Sequence, residues 1–122
     1  MKLHIAQSSG QNLFTGYGDG FVAVNGTRHA AHLLVTPEHV AHWNVESFAA
    51  LTAEAADELA ARGAEIIILG TGASLRFPQP EVGRRIAAAG IGLEVMDSRA
   101  ACRTYNVLMA EGRRVLAAIL IE

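Results

Sequence analysis

The segment EIIIL, Glu65 to Leu69, is the most apolar short run in the chain. It is β-branched and uninterrupted by polar residues, which suits a strand covered on both faces rather than one with a wet side. A strand of that kind belongs inside a sheet layered with helices. Its neighbours agree. Thr52 is placed to cap a helix over Ala53 to Arg62, with Glu54 and Asp57 early, Arg62 late and Gly63 at the end. After the run comes GTGASLRFPQPEV, Gly70 to Val82, in which Pro80 fits the first position of a helix over 80–89 with Val82, Ile86 and Ala89 on one face and Gly90 closing it. LEVM, Leu93 to Met96, reads as the next strand.

Ser98 is expected to cap a helix running to about Glu111, which Gly112 ends. At 100° per residue Ala101, Cys102, Tyr105, Leu108 and Met109 share one side, while Arg99, Arg103 and Asn106 share the other. RVLAAILI then supplies a long apolar strand suited to the middle of a sheet. The first 45 residues have a different rhythm. LHIA (Leu3 to Ala6), LFTGYG and FVAVNG are short strand-like pieces, and Asn25-Gly26 is the strongest hairpin signal. It is expected to lead into a returning strand from His29 to Val35, ended by Pro37, with Trp43 covering an edge of the core. Hairpin strands followed by helix, strand, helix, strand, helix, strand predict an α/β fold: three layers on a mixed central sheet, with an additional N-terminal β-hairpin layer.

The 122 residues fit one domain, 1–122, and the 51% hydrophobic content argues against disorder. A formal charge of -2 offers no electrostatic footprint for nucleic acid. MKLHIAQSSG has no apolar stretch of signal-peptide length, and VLAAILI is far below the ~20 residues of a spanning helix, so a cytoplasmic protein without membrane insertion is expected. Cys102 is the only cysteine, so core burial rather than an internal disulfide must stabilise the fold.

Ligands of open α/β sheets bind outside the carboxyl ends of parallel strands. If EIIIL and LEVM are parallel, loop 70–79 and the Asp97-Ser98 turn open on the same edge, gathering Gly70, Thr71, Gly72, Arg76, Asp97 and Ser98, with Arg103 farther along the helix. Such a crevice could take an anion or small molecule on helix N–H groups, Thr71 and Arg76. The spacing speaks against a nucleotide loop: seven residues, Ala73 to Gln79, separate Gly72 from Pro80, and neither a Walker nor a Rossmann pattern is present. The competing reading is that Gly70 and Gly72 serve backbone torsions and Arg76 pairs with Asp97 or faces water. Cys102 lies near Arg99 and Arg103, which would favour a thiolate, yet it falls on the apolar side, where cysteine is a small hydrophobe. His29-x-x-His32 and His39-x-x-His42 have the spacing of paired ligands, but residues three apart on a strand face opposite ways and only Glu38 stands by. No metal, cofactor or catalytic residue is therefore expected, and Asp97 is read as a helix-start carboxylate before a general acid.

The combination of ILGTG, RFPQPEV and GIGLEVMDSRAACRTYNVLMAEGRRV resembles a small α/β family of largely unknown function. That family includes the mitochondrial complex I (NADH dehydrogenase) assembly factor 3 proteins and the adipogenesis-associated domain proteins. The resemblance is strong over residues 65–120 and extends more weakly to DGFVAVNGTRH. Its pattern maps onto Gly70, Gly72, Arg76, Pro78, Asp97, Arg103, Thr104, Tyr105 and Asn106, with Ser98 where threonine is frequent. It implies a three-layer α/β fold, no catalytic residues, and protein partners among respiratory-complex subunits. The expected function is thus a non-enzymatic binding or assembly-accessory domain, monomeric or weakly homodimeric, with an anion or small-molecule binder or enzyme at Gly70–Arg76 and Asp97 as the alternative.

Overall fold

The computed structural model describes residues 10–122; the expected strand LHIA lies outside them. In chain order the elements are β1 (Phe14–Gly18), β2 (Phe21–Val24), β3 (Thr27–His29), β4 (Leu33–Val35) and β5 (Val40–His42). A 3-10 turn, Phe48–Ala50, precedes α1 (Ala53–Ala60), β6 (Ile66–Gly70), α2 (Pro80–Ala88), β7 (Gly92–Met96), α3 (Ser98–Ala110) and β8 (Val115–Ile119). The apolar run is β6, and it lies parallel to both β7 and β8, with Ile68 opposite Glu94 on one side and Ala117 on the other. The mixed five-stranded sheet has the order β5-β4-β8-β6-β7, in which β4 joins β8 antiparallel.

Alternation along these strands feeds two cores. Ile67 and Leu69 join Leu116 and Ala118 beneath α1 and α2, together with Trp43, Leu51 and Leu59. Ile68 joins Ala117 and Ile119 on the other face, beneath α3 and the inner side of the three-stranded sheet β1-β2-β3. Complete burial of a side chain such as Ile67 or Ile68 contributes roughly 1.5–3 kcal/mol. Tyr105 of α3 meets Phe14 of β1 edge to face, with ring centroids 5.2 Å apart, an arrangement that adds about 0.5–1.5 kcal/mol beyond area. Among the described residues no helix is long and apolar enough to cross a membrane.

Local signals account for most element ends. Asn25 and Gly26 both have positive φ, 51° and 85°, as a two-residue hairpin between β2 and β3 requires. Thr52 caps α1 by accepting from the Ala55 N–H, and Pro80 starts α2.

Four expectations need correction. The single strand over His29 to Val35 is two strands in different sheets: β3 pairs with β2, whereas β4 pairs with β5 and β8, because the chain leaves the hairpin at Ala30 and Ala31 to enter the main sheet. Ala89 is exposed just beyond α2, so only Val82 and Ile86 anchor that helix inward. The cap of α3 is Asp97, whose carboxylate accepts from the Ala100 N–H, since the Ser98 hydroxyl is engaged elsewhere. Asn106 is buried rather than solvent-facing, because β1 occupies a second side of α3.

Candidate functional site

Where β6, β7 and β8 end together, the backbone and two hydroxyls stitch their exits into one edge. The Thr71 N–H donates to Met96 O, the Ser98 N–H to Gly72 O, the Leu120 N–H to Gly70 O and the Ala73 N–H to Glu122 O. Ser98 Oγ donates to Leu120 O at 2.6 Å and accepts from the Gly72 N–H at 2.8 Å. Thr71, wholly buried, donates its hydroxyl to Ser74 O and accepts from the Arg76 N–H. Both glycines face protein. A Cβ on Gly70 would stand 2.9 Å from Ser98 Oγ and 3.1 Å from Ala101 Cβ, and one on Gly72 would stand 2.6 Å from Glu122 O. Gly72 also has φ +98°, a left-handed conformation for which glycine is the default. The G-T-G spacing therefore meets the needs of crowded strand ends.

Arg76 turns back into the same edge. Its Nε and Nη2 donate to Thr71 O at 3.1 and 2.7 Å, Nη2 also reaches Glu122 Oε1, and the guanidinium lies 4.4 Å from the centre of the Phe48 ring. Glu122 Oε1 takes a further bond from the Phe48 N–H. Burial raises the Glu122 pKa, but the hydrogen bonds from Arg76 and Phe48 outweigh it and leave the carboxyl below its ordinary value. The pair is thus charged and mutually neutralised.

The structure therefore brings Gly70, Thr71, Gly72, Asp97 and Ser98 to one edge. Arg76 pairs with Glu122 rather than with Asp97. Arg103 belongs to a separate cluster, donating to the Tyr17 hydroxyl at 2.6 Å, with Arg99 paired to Asp19 at 2.9 Å. Between the β1–β2 turn and the strand ends lies a cavity of about 270 Å³, whose lining includes Tyr17, Phe21, Gly72, Ser98, Arg99 and Glu122. It is at the small end for a ligand pocket. Sequence reasoning missed Glu122, Phe48 and Tyr17 as members of these clusters. Each is dozens of positions from its partner, and only tertiary packing makes them neighbours.

The histidines do different work from their spacing. His32 accepts the Ile121 N–H at Nδ1, 2.9 Å away, and its Nε2 lies 3.2 Å from Glu46 O, so the ring extends the β4–β8 ladder. Cys102 is fully buried, and desolvation pushes its thiol up to about 12, against the opposing field of Arg103. Iodoacetamide at pH 8 is therefore expected to leave the native protein unlabelled and to label it once urea unfolds it. Rapid native labelling, read by intact mass, would contradict the assignment. Burial raises the Tyr105 hydroxyl pKa as well. For both acids the unfolded chain ionises first. Stability is therefore lost as pH rises above the ordinary values, 9.0 for the thiol and 10.0 for the phenol, the thiol's share being fully lost only above about 12.

Comparison with known proteins agrees with this architecture. A family model described as a protein of unknown function (DUF498/DUF598) matches residues 14–120. A bovine protein named NADH dehydrogenase (ubiquinone) 1 alpha subcomplex assembly factor 3 is 38% identical over 103 residues, covering 83% of this chain and 55% of the relative. The chain thus spans about half the length of that relative. A crystal structure of a Bordetella parapertussis protein superposes with a TM-score of 0.87 at 41% identity, over 95% of this chain and 100% of that one. The solution NMR structure of a Bordetella pertussis protein, described as an Mth938-like domain, gives 0.81 at 36% identity, over 99% and 92%. With nearly every described residue inside the match, the chain belongs to the DUF498/DUF598 family of proteins of unknown function.

Proposed function

We propose that the chain is a protein-binding accessory domain, a single α/β unit over residues 1–122, that takes part in assembling the respiratory NADH dehydrogenase. The carrying observation is its 38% identity, over 83% of its length, to a protein named as an assembly factor of that complex. The state of the crevice is consistent with it: Arg76 donates to Thr71 O and Glu122, and Arg99, which lines the cavity, pairs with Asp19. No specific observation favours the anion or small-molecule alternative. The proposal includes a cytoplasmic, monomeric or weakly homodimeric protein that works through protein contacts, without cofactor or nucleic acid.

Affinity capture of the tagged chain from cells that make it is expected to enrich NADH dehydrogenase subunits over a tag-only control. Deleting the gene is expected to reduce the fully assembled complex on native gels. A clean capture without those subunits, together with unchanged complex after deletion, would sink the proposal.

A further inference from the structure

Large apolar side chains stand exposed at four described positions: Val40, Leu75, Phe77 and Val107. Val40 and Val107 are isolated on separate elements, but Leu75, 51% exposed, and Phe77, 74% exposed, flank Arg76 in one loop. Arg76 is drawn inward by Thr71 O, Glu122 and the Phe48 ring. The backbone on either side of Leu75 is held by the bonds from Thr71 Oγ1 to Ser74 O and from the Arg76 N–H to Thr71 Oγ1, and Phe77 follows the anchored Arg76 directly. The result is a tethered loop with two apolar side chains directed away from its anchored centre. A loop ordered before binding loses less conformational entropy on binding, which favours affinity at each contact it makes.

Resting on the protein-binding reading above, we infer that Leu75 and Phe77 are the anchor by which this domain inserts into an uncharged, apolar cleft on a partner protein. Charge points to that occupant. The exposed residues of the loop, Ala73, Ser74, Leu75, Phe77 and Gln79, carry none, and Arg76 is neutralised by Glu122. On α1 and α2 the two basic side chains are both paired, Arg84 and Arg85 with Glu81 and Arg85 also with Asp57, while Glu54 and Glu58 add exposed acidic charge. An anionic lipid surface would instead be met by unpaired basic side chains beside the apolar ones. Leu75 and Phe77 alone fall well short of the ~800 Å² per partner of a stable interface, so they act as the centre of a contact that further surface of this domain completes.

The test places photoreactive benzoylphenylalanine at position 77, and separately at the control position Val107, in the full chain inside cells that make it. Irradiation is expected to join position 77, and not 107, to one partner protein at an apolar, uncharged peptide mapped by mass spectrometry. With that partner purified, Phe77→Ser is expected to weaken binding by about 30-fold while thermal unfolding stays unchanged, and Leu75→Ser to weaken it in the same direction. Unchanged affinity, adducts to lipid or to a second copy, adducts confined to position 107, or none from either position would each overturn the inference. A position-77 partner unrelated to NADH dehydrogenase, passing the affinity test, would support the surface and reject the assembly role. A subunit of that complex joined only through position 107 would reject the surface and leave the assembly role standing.

Discussion

Replacing Asn106 by leucine is expected to lower the free energy of unfolding by about 2–5 kcal/mol. The side-chain amide completes a strand edge. Oδ1 accepts the Phe14 N–H at 2.9 Å and Nδ2 donates to Phe14 O at 2.8 Å, so a residue on α3 satisfies both backbone groups of one residue on β1. Asn106 is 1% exposed and Phe14 fully buried. Water cannot readily replace the amide there. Leucine fills the volume but leaves a donor and an acceptor desolvated and unpaired, each costing roughly 1–3 kcal/mol. Aspartate tests the same geometry: its carboxylate can accept from the Phe14 N–H but faces the Phe14 carbonyl without a proton to give. Urea unfolding followed through Trp43, the single tryptophan and itself buried, reads both variants. A loss below about 1 kcal/mol for the leucine variant would refute the assigned role.

Gly72→Ala is expected to cost about 2–4 kcal/mol, combining the strain of a left-handed residue with overpacking against the strand ends. The new Cβ would meet Glu122 O at 2.6 Å and Arg76 Nη2 at 3.1 Å, so it strikes backbone and the inward-turned guanidinium together. Gly83, on α2, is the control. A Cβ there meets nothing within 4 Å, and alanine should hold or slightly raise stability through its helix propensity. If Gly72→Ala unfolds at the same urea concentration as the parent, the packing account of the G-T-G loop fails. The comparison also bears on the crevice, because a glycine kept for the approach of a ligand would leave open space where this one has a wall.

The two substitutions mark where linear reasoning stopped. Asn106 falls opposite the apolar stripe of α3 by angle, and a helix packed on one sheet would leave it wet. A second sheet lies against that side, and the hydrogen bond to Phe14 spans 92 positions. Arg76 shows the same limit. The expected shared edge of β6 and β7 offered it Asp97 or water, whereas Glu122, 46 positions away, is the carboxylate that reaches it. The misplaced cap of α3 has a related cause: Asp97 and Ser98 are both good capping residues, and the choice depended on Leu120 O and Gly72 N competing for the serine hydroxyl. The break between β3 and β4 escaped notice because a change of sheet partner across only three residues, Ala30, Ala31 and His32, leaves no periodicity signal.

By itself the sequence determined what depends on contacts within a few residues. A β-branched apolar run required burial on both faces, Asn25-Gly26 supplied two positive φ angles for a hairpin, and Thr52 and Pro80 set helix starts through their own side chains. It also carried enough of a family pattern to indicate an α/β layer fold. Tertiary structure alone decided which polar groups found partners and which apolar groups were left without cover. A buried donor or acceptor must be satisfied by whatever the fold brings within 3 Å, regardless of separation along the chain. That requirement drew Arg76 inward to Thr71 and Glu122, and it left Leu75 and Phe77 on the outside of the loop.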